Sequence, residues 1–76
     1  MSKFRRISSV IEAEMYLGPV DAPKGVYFDE ANRPYVVTIH NQRVFIEISD
    51  WIIPEKDGVH YYPCKHDVFV QTYEPV

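Results

Sequence analysis

The chain contains 76 residues, of which 46% are hydrophobic and 14% aromatic, and its formal net charge is −3 with a sequence pI near 5.5. A chain this short favours one small domain with a thin core, and its acidic balance argues against binding nucleic acid through phosphate neutralisation. One cysteine cannot form an internal disulfide, and no apolar run approaches the roughly 20 residues of a membrane span. The opening residues also lack the apolar segment of a signal peptide. We therefore expect a cytoplasmic protein with no membrane partner and no nucleic-acid partner.

The segment from Ser9 to Leu17 fits two structures. Alternation places apolar side chains on one face and the two glutamates on the other, which is typical of a half-buried strand; the apolar positions are Ile11, Ala13, Met15 and Leu17. A capping box from Ser9 to Glu12 and a stop at Gly18-Pro19 also fit a helix over residues 10–17. Such a helix would have only about two turns and would be marginal without extensive packing. We therefore predict a strand here, with the helix as the alternative.

A β-hairpin is predicted from Tyr35 to Ile48, after a short strand at residues 26–28. If Asn41 and Gln42 form a two-residue loop, the strands pair outward from residues 40 and 43. Three apolar pairs then share one face, namely Ile39 with Val44, Val37 with Ile46, and Tyr35 with Ile48. A shift of one residue would destroy this agreement, because side chains alternate with a period of two. We therefore expect Val37 and Ile46 to be cross-strand neighbours on a buried face.

A second hairpin is predicted around the only Trp and the only Cys. Its strands are the apolar runs at residues 50–54 and 59–65, and the polar segment Glu55-Lys56-Asp57-Gly58 supplies the turn. A polar turn at residues 65–67 follows, and then a last strand from Val68 to Tyr73 that is rich in β-branched and aromatic residues. The chain is therefore predicted to be a mainly β, single domain over residues 1–76. Five to six short strands would form an antiparallel meander or a barrel-like curled sheet.

Two chemical sites can be built from the histidines and the cysteine. His60, Cys64 and His66 are legitimate zinc ligands within seven residues, but their spacing matches no common zinc motif. Cys64 with His66 and Asp67 could form a nucleophile and its base, yet residues two apart on one strand are about 6.5–7 Å apart. We therefore expect solvated histidines and a Cys64 that behaves as a small packed hydrophobe. The chain is predicted to have no catalytic residue, no metal site and no cofactor.

The aromatic residues of the second hairpin are the candidate binding site. Trp51, Tyr61 and Tyr62, with Lys65 and His66, form the concentrated set of aromatic and cationic residues in the sequence. Aromatic rings beside cations stack on nucleotides and dominate protein interfaces. The alternative is a plain core with tyrosines at its rim. Because neighbouring side chains of a strand point to opposite faces, we expect one of Tyr61 and Tyr62 to point outward beside Lys65 and His66.

The second half of the chain carries a pattern of short motifs. They are Asp50-Trp51-Ile52-Ile53, then Tyr62-Pro63-Cys64-Lys65 with Asp67 and Phe69, and finally Thr72-Tyr73-Glu74. This pattern resembles a group of small uncharacterised proteins encoded by bacteriophages, and the opening Phe4-Arg5-Arg6 is also similar to theirs. Ser49 stands where that group has Gly, and His66 where it has a second Pro. The middle of the chain is shorter than theirs, at the place where they carry a helix.

The resemblance implies a phage origin and production inside an infected bacterium, and it supplies no catalytic residues. Small phage accessory proteins act mostly by stoichiometric binding, which is an argument by analogy. It favours a non-enzymatic protein that binds a host protein and inhibits or redirects it, in host takeover or counter-defence. Three alternatives stay open. One is a sponge that sequesters a nucleotide immune signal, as a homo-oligomer with pockets at the subunit interface; the others are a minor structural component of the virion and an enzyme.

Overall fold

The structure, a computed structural model, describes residues 2–6 and 9–75 of the chain. Within this part it contains eight strands and one helix, in the order β1 Ser2–Arg6, β2 Ser9–Met15, β3 Tyr27–Phe28, β4 Pro34–Val37, β5 Arg43–Phe45, β6 Trp51–Pro54, β7 Tyr61–Cys64, α1 His66–Thr72 and β8 Glu74–Pro75. Six of these strands have three or more residues, and the paired strands are antiparallel. The prediction of a small, mainly β, antiparallel fold is confirmed. No helix in the described ranges is long and apolar enough to cross a membrane.

Five strands form the central sheet, in the order β7-β6-β2-β1-β8. Its two hairpins, β1 with β2 and β6 with β7, are joined through β2 and β6, where Met15 pairs with Trp51. Since β2 covers residues 9–15, the strand prediction for this segment is confirmed. Alternation decides the conformation, because Ala13 is buried on one face of the sheet while Glu12 stays exposed on the other.

The central sheet is covered on both faces. On one face, Ile53 packs in a cluster with Phe69 of the helix α1. On the other face, Ile52 packs with Val36 of a second, three-stranded sheet in the order β3-β4-β5. The molecule is therefore built as helix, central sheet and small sheet. This layering explains the apolar run Trp51-Ile52-Ile53, because a strand with two buried faces needs apolar side chains at successive positions.

The small sheet corrects the predicted register of the first hairpin. The observed pairs are Tyr35 with Phe45, Val36 with Val44, and Val37 with Arg43. The predicted pairing of Val37 with Ile46 is therefore wrong. In the observed register Val44 lies opposite Val36, and the two side chains share the inner face of the small sheet. Val36 is fully buried there, while Val37 is only half-buried.

The loop of this hairpin explains the corrected register, because it has three residues and not two. The N–H of Asn41 donates to the carbonyl oxygen of Thr38 at 2.8 Å, and the N–H of Thr38 donates to the carbonyl oxygen of Gln42 at 2.9 Å. Asn41 has a positive φ of 62°, so a turn is followed by one left-handed residue, which is a common three-residue hairpin loop. Asn tolerates this conformation better than most residues, and it fixes where the strands begin to pair.

The last predicted strand is a helix. Residues 66–72 form α1, so the predictions of a polar turn at residues 65–67 and of a strand from Val68 to Tyr73 are wrong. The decisive spacing is that of Phe69 and Tyr73, which are four residues apart and stack with ring centroids 4.8 Å apart in the core. Val68 and Val70 are exposed. Tertiary packing of this aromatic pair therefore outweighs the β propensity of the intervening residues.

Candidate functional site

The outer face of the small sheet carries a row of aromatic rings. Val36 points into the core, so its neighbours on the same strand point away from it. Tyr27, Tyr35 and Phe45, one from each strand, lie side by side in register on this outer face. Their ring centroids are 5.8 Å and 6.0 Å apart, within the range of favourable aromatic pairs.

Two arginines lie over this row. The guanidinium carbon of Arg33 is 4.7 Å from the centre of the Phe45 ring, and that of Arg43 is 4.7 Å from the centre of the Tyr35 ring. Both distances suit a cation–π interaction. We call these five residues, Tyr27, Arg33, Tyr35, Arg43 and Phe45, the aromatic-arginine face.

Arg33 is held in place by the carboxylate of Asp29. Arg33 donates from Nε and Nη2 to Oδ2 of Asp29, each at 2.8 Å. Backbone N–H groups of Arg33 and Ala31 donate to the other oxygen of Asp29, and the N–H of Arg33 contributes most to holding the pKa of Asp29 below its ordinary value. Within residues 2–6 and 9–75, Arg43 forms no salt bridge. Its positive charge is therefore available to an anionic group outside the chain.

The aromatic-arginine face is open to solvent and borders two clefts. Tyr27 is 55% exposed and Phe45 is 49% exposed, values that are high for rings of this size. A cleft of about 630 Å³ lies beside the arginines and includes the carboxylates of Asp29 and Glu30 in its wall. A smaller cleft of about 230 Å³ separates Tyr27 and Tyr35 from residues 59–61. The face thus combines exposed rings, cations and concave edges.

Two of the predicted site residues, Trp51 and His66, are brought together at the start of the helix α1. The Trp51 ring stacks on Phe69 with centroids 4.2 Å apart and an interplanar angle of 9°. Its Nε1 donates to Nδ1 of His66 at 3.1 Å. Trp51 therefore packs against the core cluster, and its indole N–H is bonded within the chain. This arrangement matches the alternative of a plain core.

Tyr61 and Tyr62 are separated by the central sheet. Tyr62 packs against the cluster beneath the helix, and its hydroxyl lies 3.4 Å from that of Tyr73. Tyr61 packs against the cluster that contains Val36. Both tyrosines are half-buried. The expectation that one of them points outward beside Lys65 and His66 is wrong, because the sheet has a core cluster on each face.

Lys65, the remaining predicted site residue, is engaged in an internal ion-pair network. Its Nζ donates to Oε1 of Glu47 at 2.7 Å and to Oδ1 of the buried Asp50 at 3.0 Å. The other oxygen of Asp50 accepts from the backbone N–H of Glu47 at 2.9 Å. The hydrogen bond with Glu47, and after it the one with Asp50, raises the pKa of Lys65. Lys65 therefore joins the end of β7 to the loop before β6.

The histidines and the cysteine do not converge on one site. His60 contacts Asp57 in the turn of the second hairpin, whereas His66 accepts the hydrogen bond from Trp51. Among the described residues, no three His, Cys, Asp or Glu side chains are grouped so that they could hold a metal ion. Burial, with smaller effects of Asp50 and Asp67, raises the pKa of the Cys64 thiol. A raised pKa leaves less thiolate at neutral pH and lowers the nucleophilicity of the cysteine.

The aromatic-arginine face was missed by sequence reasoning because the hairpin register was wrong. With Asn41 as the left-handed residue of a three-residue loop, Tyr35 pairs with Phe45 and both leave the core. That one change of loop type would have placed Arg43 on the same side as both rings. Asn41 indicates a left-handed residue in this loop, but it suits a two-residue loop as well as a three-residue loop.

Comparison of the chain with protein-family models, with curated proteins and with solved structures found no match. The resemblance to phage proteins therefore stays a prediction. Its functional meaning depends on what the aromatic-arginine face can bind.

Proposed function

We propose that this protein is a phage-encoded, non-enzymatic binding protein that engages a host protein in the bacterial cytoplasm and inhibits or redirects it. The observation that carries the proposal is the aromatic-arginine face, with Tyr27 and Phe45 about half exposed and Arg43 without a salt bridge in the described chain. Tyr, Phe and Arg are enriched at protein interfaces, and a few such residues supply most of the binding free energy.

The rigidity of this face supports its role in binding. Tyr27, Tyr35 and Phe45 all lie on strands, and Arg33 is fixed by Asp29. Ordering flexible side chains opposes association, so rings and cations that are already positioned reduce that cost. The face can therefore bind without a rearrangement of the small sheet.

The phage origin rests on the resemblance of the second half of the chain. A protein of this size that accumulates during infection can inhibit a host factor by occupying its surface, without turnover. Counter-defence and host takeover can both proceed by such stoichiometric binding. The aromatic-arginine face is the surface through which we propose that it acts.

Affinity capture from bacterial lysate tests the proposal. The wild-type chain is compared with a Tyr35→Ala/Arg43→Ala variant and with a control, Val68→Ala/Val70→Ala, which removes exposed apolar groups on the helix. We expect a host protein that is captured at one-to-one stoichiometry by the wild type and the control. The face variant should lose at least about tenfold in affinity, because an anchor residue contributes about 2 kcal/mol or more. Equal capture by all three folded proteins would contradict the proposal.

A nucleotide sponge is the second candidate, and one observation favours it. Arg33 and Arg43 border the cleft of about 630 Å³ next to Tyr35, so a base and a phosphate have groups to contact. Asp29 and Glu30 line the same cleft, and their carboxylates repel phosphate. To distinguish the two candidates, the protein is purified from infected cells and denatured, and the small molecules that it releases are identified by mass spectrometry. A stoichiometric nucleotide would favour the sponge over the host-protein binder.

A further inference from the structure

Within residues 2–6 and 9–75, the strand β5 ends the small sheet and has one unpaired edge. The N–H of Thr38 donates to Gln42 at 2.9 Å, and the N–H of Ile46 donates to Pro34 at 3.1 Å. Hydrogen-bonded pairs alternate with non-bonded pairs in an antiparallel ladder, so Val36 and Val44 form the bonded pair between these two. The N–H and C=O groups of Arg43 and Phe45 consequently point away from the sheet.

This edge is short and carries the charged Arg43, but it is not blocked by a proline. Residues 43–45 contain no proline, and no strand or helix of the described chain pairs with the outer side of β5. An edge with free N–H and C=O groups is a template for another extended segment. The side chains of Arg43 and Phe45 stand beside these groups on the aromatic-arginine face.

We propose that an extended, acidic segment of the protein partner adds to β5 as a fourth strand of the small sheet. This inference rests on the proposed function and specifies how the partner is held. Arg43 forms no salt bridge within the described chain, so its guanidinium can pair with an acidic side chain on the incoming segment. The same segment places its next side chain on that face against the exposed ring of Phe45.

The short edge of β5 limits the number of main-chain hydrogen bonds that the segment can form. β5 has three residues, and only Arg43 and Phe45 offer outward groups, so the ladder adds at most two N–H donors and two C=O acceptors. Main-chain bonds of this kind fix the register of the segment, while the ring and the guanidinium recognise its side chains. A partner segment with an acidic residue and an apolar residue two positions apart satisfies both requirements.

A display library of random 12-residue peptides, selected against the full chain, supplies the probe. We expect enriched sequences in which an acidic residue and a β-branched or aromatic residue are two positions apart, so that both side chains lie on one face of the added strand. The best peptide is labelled with fluorescein, and its affinity is measured by anisotropy for the wild type, Arg43→Ala and Arg43→Pro. Both variants lose the guanidinium, but only Arg43→Pro also loses the outward N–H, which is not used inside the sheet.

The two variants separate recognition of charge from pairing at the edge. Arg43→Ala should weaken binding about fivefold and remove most of its salt dependence, and Arg43→Pro should weaken it about fivefold more, the worth of one hydrogen bond. In the complex, amide exchange of Phe45 should slow at least about tenfold. Val44, whose N–H already bonds to β4, is the internal control and should not change.

Several results would overturn the inference. These are no enriched acidic peptide, equal binding by Arg43→Ala and Arg43→Pro, or unchanged exchange at Phe45. Self-association of the wild type in sedimentation that Arg43→Pro abolishes would also overturn it, because a second copy would then occupy the edge. Failure of this inference is distinct from failure of the proposed function. If Tyr35→Ala/Arg43→Ala no longer binds the host protein, but Arg43→Pro and Arg43→Ala bind it equally, the proposed binding function stands and only the pairing at the edge is excluded.

Discussion

Gly25 occupies a position where the fold has no room for a side chain. Its φ is +96°, in the region that favours glycine, and a Cβ added there would overlap the ring of Tyr61. Tyr61 in turn packs against the cluster that joins the two sheets. The absence of a side chain at residue 25 is therefore part of the packing between the layers.

Gly25→Ala should lower the free energy of unfolding by about 2–5 kcal/mol, the sum of backbone strain and overpacking. Gly58→Ala is the matched control, because Gly58 also has a positive φ, of 72°, but no atom within 4 Å of an added Cβ. The control should lose only about 1–2 kcal/mol from strain. Urea denaturation measures both. Equal losses would show that Tyr61 does not pack against residue 25.

Asp57 gives the turn of the second hairpin a defined dependence on pH. Its side chain accepts hydrogen bonds from the backbone N–H groups of Val59 and His60 and contacts the His60 ring. The hydrogen bond with the His60 side chain, followed by those with the two backbone groups, lowers the pKa of Asp57 to about 2. Since the folded pKa lies below the ordinary value of 3.8, the contribution to stability is full above about pH 4 and is lost as the pH falls towards 2.

Asp57→Asn should therefore destabilise the protein at pH 7, and its deficit relative to the wild type should shrink as the pH falls from about 4 to about 2. Glu30→Gln, at an exposed position, controls for the loss of one negative charge. Urea denaturation at several pH values gives the difference directly. A deficit that stays constant from pH 7 to the acid limit of folding would rule out the Asp57 bonds as its origin.

At the level of the elements, β4 is the strand that separates core from surface. Val36 has no exposed surface and packs with Ile52 and Ile46, whereas Val37 lies at the wall of the smaller cleft. The two residues are neighbours in the sequence but face opposite sides of the small sheet. The corrected register therefore makes opposite predictions for the same substitution at adjacent positions.

Val36→Asp should unfold the domain, because an unpaired charge in the core costs several kcal/mol and the total stability expected for this length is about 4–11 kcal/mol. Val37→Asp should remain folded and lose about 1 kcal/mol, a usual value for a partly exposed site. Circular dichroism and thermal unfolding distinguish the two. A folded Val36→Asp protein together with an unfolded Val37→Asp protein would instead support the register predicted from a two-residue loop.

The strands and the helix also show which parts of the fold could be predicted from the sequence. The strand at residues 9–15 and the hairpin around Trp51 follow from alternation and from a polar turn, and both are present. The hairpin register and the helix α1 could not be decided locally. Asn41 suits two loop types, and the β-branched residues around Phe69 favour a strand until the stack of Phe69 on Trp51 and Tyr73 is formed. The loop conformation at Asn41 decided the register, and the stack of Phe69 on Trp51, which is distant in sequence, favoured the helix.

The candidate site was harder to predict for the same reason. Trp51, Tyr61, Tyr62, Lys65 and His66 are conspicuous in the sequence because they are close together, and the structure engages each of them in internal contacts. The residues of the aromatic-arginine face come from three strands and one turn. Their proximity exists only once the small sheet has formed in its correct register.

At the level of the whole molecule, the three layers leave one face without an internal role. The central sheet is covered on one side by α1 and on the other by the small sheet. The inner side of the small sheet packs on the central sheet, and its outer side carries aromatic rings that are exposed within the described residues, in a protein whose formal net charge is −3. Two arginines lie over these rings, and only Arg33 is paired with a carboxylate among the described residues. We propose that binding accounts for the exposure of these rings.

Site-specific photo-crosslinking in bacterial cells tests this claim most directly. A photoreactive benzoyl-phenylalanine replaces Phe45 on the aromatic-arginine face or, as the control, Val70 on the exposed side of α1. We predict one discrete adduct with a host protein from position 45 and none from position 70. An adduct from position 70 alone, or no adduct from position 45 in a correctly folded protein, would contradict the assignment of the aromatic-arginine face as the binding surface.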